Sequence, residues 1–126
     1  MPAVSRILPV SAEVAWRFLT DTEAWPVWGP SVRAVDCPSR FIGQGVRGRV
    51  RTPAGVWIPF VVTDWEEGRA WAWRVAGVPA TGHQVDPIDE ATCRLSFLIP
   101  RWAPFYAVVC EVALDRLEAL ARRQSS

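Results

Sequence analysis

From residue 31 to residue 99 the apolar side chains recur at every second position, in runs too short for helices and separated by turn formers. No other feature constrains the fold as strongly, because successive side chains of a strand point to opposite faces and each run therefore buries one face. Val46, Gly48 and Val50 share a face, as do Ile58, Phe60 and Val62, then Trp71, Trp73 and Val75, and finally Cys93, Leu95, Phe97 and Ile99. Turn signals stand at Ile42-Gly43-Gln44-Gly45, Pro53-Ala54-Gly55, Glu66-Glu67-Gly68 and Asp86-Pro87-Ile88-Asp89. They divide the region into six expected strands near 31–37, 45–52, 56–65, 69–76, 81–86 and 91–99. The gaps are too short for crossover helices, so the strands are expected to pair as an antiparallel meander.

A sheet with one apolar face needs a cover, and the chain supplies helices on both flanks. Residues 4–8 read as a short opening strand. Ser11 can cap a following helix by accepting from an otherwise unpaired first-turn N–H, and Val14, Phe18 and Leu19 give that helix an apolar side. Thr20-Asp21-Thr22-Glu23 has the S/T-x-x-E capping-box spacing, which predicts a second short helix ended by Trp25-Pro26-Val27-Trp28-Gly29-Pro30. Pro104 suits the first turn of a last helix reaching about Arg123. On it Tyr106, Val109, Ala113, Leu117 and Leu120 form one side, and Glu111, Asp115, Glu118 and Arg122 the other, with Glu118 and Arg122 spaced for an ion pair. The expected class is α+β, ordered β-α-α-β6-α, with a curved antiparallel sheet wrapping the long C-terminal helix.

Composition narrows the chemistry. A chain of 126 residues is expected to form a single domain, 1–126, with a core large enough to fold without disulfides. Half of the residues are apolar and the formal charge is +1, so no global electrostatic attraction to nucleic acid or membrane is expected. Arg47, Arg49 and Arg51 alternate on an outward face, but without interleaved aromatics they read as a solvated stripe rather than a nucleic-acid site. There is no lysine, which excludes a Schiff-base nucleophile and a Walker-type phosphate site. Cys37, Cys93 and Cys110 are odd in number and unpaired in spacing, so they read as buried free thiols in a reducing compartment. No secretory n-region and no apolar stretch of membrane-spanning length is present, and a cytoplasmic location is expected. No metal site, cofactor or oligomeric state is indicated.

The words of the sequence also carry a resemblance. Trp16-Arg17-Phe18-Leu19-Thr20-Asp21, followed by Trp25-Pro26-Val27-Trp28-Gly29-Pro30, resembles the opening of the SRPBCC superfamily, the START/Bet v 1-like group that includes the polyketide cyclase/dehydrase family. Gly43-Gln44-Gly45 matches its glycine-rich loop, and Arg69-Ala70-Trp71-Ala72-Trp73-Arg74-Val75 with Gly82-His83 resembles a further segment. The resemblance implies a helix-grip fold with a deep apolar cavity between sheet and last helix. Relatives use such cavities to bind lipids, sterols, hormones or polyketides, and in some cases to cyclise or dehydrate them.

Within that expectation the candidate ligand-binding residues are Trp73, His83, Tyr106, Phe60, Phe97, Trp71 and Val109. Aromatic walls with a few polar tips describe small-molecule sites, although the same side chains also serve as plain core. His83 is open to three readings: a structural histidine satisfied by a nearby group, a hydrogen-bonding ligand contact, or a general acid or base. Tyr106 is the other catalytic candidate. Burial should keep the imidazole neutral. Trp16, Trp25 and Trp28 are expected to fix the two small helices against the sheet. A Ser–His–acid triad does not fit, since alternation places Ser96 on the polar face and Asp86 opposite His83. Three functions remain: binding of a small hydrophobic or aromatic metabolite, a polyketide cyclase/dehydratase-like activity in the same cavity, and a helper domain that docks on another protein.

Overall fold

The computed structural model of the chain describes residues 2–125. The expected boundaries at Met1 and Ser126 lie outside the described residues. Among these, the elements are β1 (Ala3–Leu8), α1 (Ala12–Thr20), α2 (Trp25–Trp28), β2 (Ala34–Asp36), β3 (Arg47–Arg51), β4 (Trp57–Glu66), β5 (Ala70–Val75), β6 (Val78–Pro87), β7 (Cys93–Leu98) and α3 (Tyr106–Ser125). The strands form one antiparallel sheet in the order β1-β7-β6-β5-β4-β3-β2. The meander is therefore as the turn spacing predicts, with the opening strand closing its far edge against β7.

Local chemistry accounts for most of the element ends. Ser11 caps α1, its hydroxyl accepting from the Val14 N–H at 3.2 Å. The expected capping box does not form: the Thr20 hydroxyl donates to the Trp16 carbonyl, and Asp21 accepts from the Glu23 N–H within a turn. Arg40 holds that Asp21 carboxylate from outside, so the residues after Thr20 form a turn tied to Arg40. The second helix consequently begins later than predicted, at Trp25, with Pro26 in its first turn. The β5–β6 connection is also tighter than expected. Ala76 and Gly77, at φ 53° and 78°, make a two-residue hairpin whose left-handed geometry suits the strand twist.

Trp73 sits where the sheet bends. Opposite it, β4 carries one extra residue between Val62 and Asp64, and β6 carries one extra between Pro79 and Gly82. Such bulges increase local twist and bending. The bulge in β4 also shifts the alternation, so that Trp65 rather than Asp64 turns inward and packs edge-on against Trp16, ring centroids 5.3 Å apart.

The concave face is covered by α3 and, through tryptophans, by the two small helices. Cys110, Ala113, Leu114, Leu117 and Ala121 form the buried line of α3. This line is rotated slightly from the predicted stripe, leaving Tyr106, Val109 and Leu120 half-buried at its margins. On the polar side, the Arg6 guanidinium of β1 meets Glu111, Asp115 and Glu118, while Glu118 also takes the predicted partner Arg122. Trp25 and Trp28 donate their indole N–H groups to the Leu19 and Phe18 carbonyls, and Trp16 donates to Glu67, so all three anchor the helices as expected. Cys93 and Cys110 are buried, whereas Cys37 is only half-buried. No helix of the described residues is long and apolar enough to cross a membrane.

Candidate functional site

The interior is built on a row of directly opposed residues running across five strands: Trp65, Trp71, His83, Phe97 and Val4. His83 is thus one rung of an aromatic ladder. Its ring lies nearly parallel to Trp71, with centroids 3.8 Å apart and planes at 14°, and Phe97 meets it edge-on at 5.4 Å. Trp25 from α2 lies parallel to Trp71 at 5.7 Å and edge-on to Trp73 at 5.4 Å. These rings occupy most of the space that the sequence assigns to a deep cavity.

What remains is divided in two. An inner space of about 40 Å³ is bordered by Trp71, Trp73, His83, Phe97, Tyr106 and Val109, and is large enough for water but not for a ring-sized ligand. Beyond it, at the end of the sheet carrying the β3–β4 and β5–β6 turns, lies a cavity of about 400 Å³. Its walls include Val50, Ile58, Val75 and Val78 from the sheet, with Pro100, Trp102 and Ala103 from the segment leading into α3. Trp73, Thr81, Ser31 and Tyr106 border both compartments. The Trp73 indole N–H donates to the Thr81 hydroxyl at 3.3 Å, and Tyr106 and Ser31 share a hydroxyl hydrogen bond of 2.7 Å. Two aromatic side chains, each tied by its polar tip, therefore stand between the inner space and the main cavity.

Six of the seven sequence-predicted residues border the inner space, and two of them, Trp73 and Tyr106, also border the main cavity. Phe60 borders neither. Its ring lies across Gly48, where an added Cβ would stand 2.9 Å from the ring, and it packs on Trp25 and Trp73 as core. Sequence reading also missed most of the main cavity wall. Val50, Ile58 and Val75 were legible as inward-facing, but Pro100, Trp102 and Ala103 sit in an irregular segment without periodicity.

The electrostatics of the inner space are those of a desolvated site. Burial pushes the His83 imidazole down to about 3, and its bond to the backbone of Trp71 only partly offsets this. At neutral pH the ring is uncharged. A carbonyl oxygen can only accept, so Nδ1 carries the hydrogen and donates to the Trp71 oxygen at 3.2 Å, leaving Nε2 as an acceptor. Burial raises the Tyr106 phenol above its ordinary value, with the Ser31 bond pulling the other way, so it too stays neutral. The Trp71 indole N–H is buried without a hydrogen-bond partner, a condition that typically costs about 1–3 kcal/mol. Among the described residues no group of three or more His, Cys, Asp or Glu side chains is placed to hold a metal ion.

The sequence profile of the family described as "Polyketide cyclase / dehydrase and lipid transport" matches residues 3–123. The chain belongs to this family. Solved structures agree on its fold. The protein XoxI from Bacillus cereus superposes with a TM-score of 0.76 at 13% identity, over 99% of this chain and 97% of that one. The ZhuI aromatase/cyclase from Streptomyces sp. R1128 gives 0.73 at 15% identity, over 99% and 94%. A norcoclaurine synthase point mutant from Thalictrum flavum, in complex with a transition-state analogue, gives 0.67 at 10% identity, over 99% and 95%. No curated protein sequence matches the chain. The helix-grip, Bet v 1-like fold of the polyketide cyclase/dehydrase and lipid transport family is thus the frame in which the two compartments sit.

Proposed function

We propose that the protein binds a small hydrophobic or aromatic metabolite in the main cavity. The observation that carries this reading is the cavity itself, about 400 Å³ and walled chiefly by apolar side chains, which lies within the range of small-molecule sites. Trp73 and Tyr106 supply flat surfaces for a ring or acyl chain, while the Ser31, Thr81 and Tyr106 hydroxyls supply sparse polar contacts. The inner space adds a neutral His83 whose free Nε2 is an acceptor, which favours a ligand whose deep end carries a hydrogen-bond donor. An open interior weighs against a helper domain whose only function is to dock on another protein.

The grouping of His83 and Tyr106 around the inner space supports a second reading, cyclase- or dehydratase-like proton movement. It ranks behind binding because an imidazole held to about 3 is a weak base and is not in its acidic imidazolium form at neutral pH. The test is a panel of naphthols, polyketide-like aromatics and fatty acids, followed by native mass spectrometry and thermal melting. A one-to-one complex with a raised melting temperature supports binding. No complex with any member, together with unchanged melting, would remove the cavity reading. Turnover of a ligand would itself favour the second reading, and His83→Gln then tests the role of the histidine: proton transfer by His83 loses about a hundredfold or more, whereas unchanged turnover places the proton movement on another group.

A further inference from the structure

The formal charge of +1 conceals a separation of charge along the strands. Antiparallel pairing brings four segments, 29–35, 50–58, 73–81 and 99–108, to the cavity end of the sheet. They hold Arg33, Arg51, Arg74 and Arg101 and not one carboxylate. The turns at the opposite end, 64–69 and 86–91, hold Asp64, Glu66, Glu67, Asp86, Asp89 and Glu90 against the single Arg69. All four cavity-end arginines are exposed, and none of them is ion-paired among the described residues. Arg51 and Arg74 bind only the turn carbonyls of Gly55 and Gly77, which leaves their charge uncompensated.

The same end carries large apolar side chains in water. Trp102, Phe105 and Val108 are 58%, 68% and 70% exposed, and Val56, Trp57 and Val78 stand out nearby. Trp102 is fixed there, its indole N–H donating to the Pro79 carbonyl at 2.8 Å across the cavity rim. Exposed apolar groups flanked by unpaired cations, with the flanking carboxylates Asp36 and Glu111 taken up by Arg49 and Arg6, form the pattern by which proteins adhere to anionic lipid.

We propose that the cavity end is a docking surface for an anionic lipid bilayer. Trp102, Phe105 and Val108 enter the boundary between headgroups and acyl chains, and the four arginines meet lipid phosphates. A bilayer suits this surface better than an acidic protein. Trp102, Phe105 and Val108 protrude from one segment and Val56, Trp57 and Val78 from two others, and a fluid bilayer accommodates such scattered protrusions, whereas a protein partner must match them in shape. The acidic opposite end would be repelled, so approach is oriented, with the cavity opening toward the lipid. An apolar ligand could then pass between bilayer and cavity without crossing water.

The test is co-sedimentation with vesicles of phosphatidylcholine alone and of phosphatidylcholine mixed three to one with phosphatidylglycerol. The intact protein should bind the mixed vesicles, bind the neutral ones far less, and be released by salt. This dependence tests the charge component without any variant. The pair Arg33→Glu and Arg101→Glu should lower partitioning at least about tenfold, given roughly fivefold per arginine near an anionic surface. The pair Phe105→Ser and Val108→Ser should also weaken it, while Glu90→Gln at the acidic end should not. Absence of vesicle binding, equal binding to both vesicle types, or indifference to both pairs of substitutions overturns the proposal. So does capture of an acidic protein by a chain that ignores vesicles. Vesicle binding reads the surface and ligand titration reads the cavity, so the two proposals fail separately.

Discussion

His83 shows how little a residue's type says until its neighbours are known. It is the only histidine in the chain, and its ring is held in an aromatic ladder where burial lowers its pKa to about 3. In the unfolded chain the ring takes up a proton below about 6.5. Between those values the unfolded state binds one proton more than the folded state, so stability falls as pH falls through that window, by about 1.4 kcal/mol per unit. Above the window the contribution is fully present. His83→Phe keeps an aromatic rung and removes the titrating group. Urea unfolding from pH 7 to pH 4 should therefore show the wild-type protein losing more stability than the variant, with a difference that widens toward acid. Parallel profiles would mean that His83 is solvated or charge-compensated in the folded state.

At the scale of elements, the β5–β6 hairpin and the β3–β4 pair carry the testable strain. Ala76 adopts a left-handed conformation that costs a Cβ-bearing residue about 1–2 kcal/mol, less for asparagine. Ala76→Asn should accordingly raise stability by up to about 1 kcal/mol in a denaturant melt, and no gain or a loss would contradict the turn assignment. In β3, a Cβ at position 48 would lie 2.7 Å from the Asp36 carbonyl oxygen and 2.9 Å from the Phe60 ring. Gly48→Ala should cost about 1–3 kcal/mol, the usual penalty of forcing atoms into a filled core; a melt unchanged from wild type would show that β2 and Phe60 yield freely. The same elements mark how far the sequence could be read. Strand order and faces follow from period-two runs and turn residues, which act locally. The bulges opposite Trp73 do not, because an extra residue leaves no compositional mark and silently moves Trp65 inward in place of Asp64. The capping-box spacing at Thr20 misplaced α2 because Thr20 remains the last residue of α1, its hydroxyl turned back to the Trp16 carbonyl.

For the whole molecule, the relevant quantities are how much of the interior is filled and where the charge lies. Neither was legible in composition: eight tryptophans could have lined a deep cavity or filled it, and +1 could have been evenly spread. The register resolves the first, since opposed rungs bring Trp71, His83 and Phe97 together, Trp25 of α2 packs on Trp71 and Trp73, and the main cavity is left at one end. Inward alternation placed Trp71, Trp73, His83 and Phe97 on the concave face, where they border the inner space, while the position of Phe60 over Gly48, which alternation does not reveal, removes it from both compartments. The central claim is that this end cavity receives an apolar ligand. It is tested most directly by titrating ¹⁵N-labelled protein with 2-naphthol and following the tryptophan indole N–H resonances. Trp73 and Trp102, which border the cavity, should shift saturably, while Trp16 and Trp65, packed against each other away from it, should stay in place. Unmoved Trp73 and Trp102 signals at saturating ligand, or shifts confined to Trp16 and Trp65, would contradict the account.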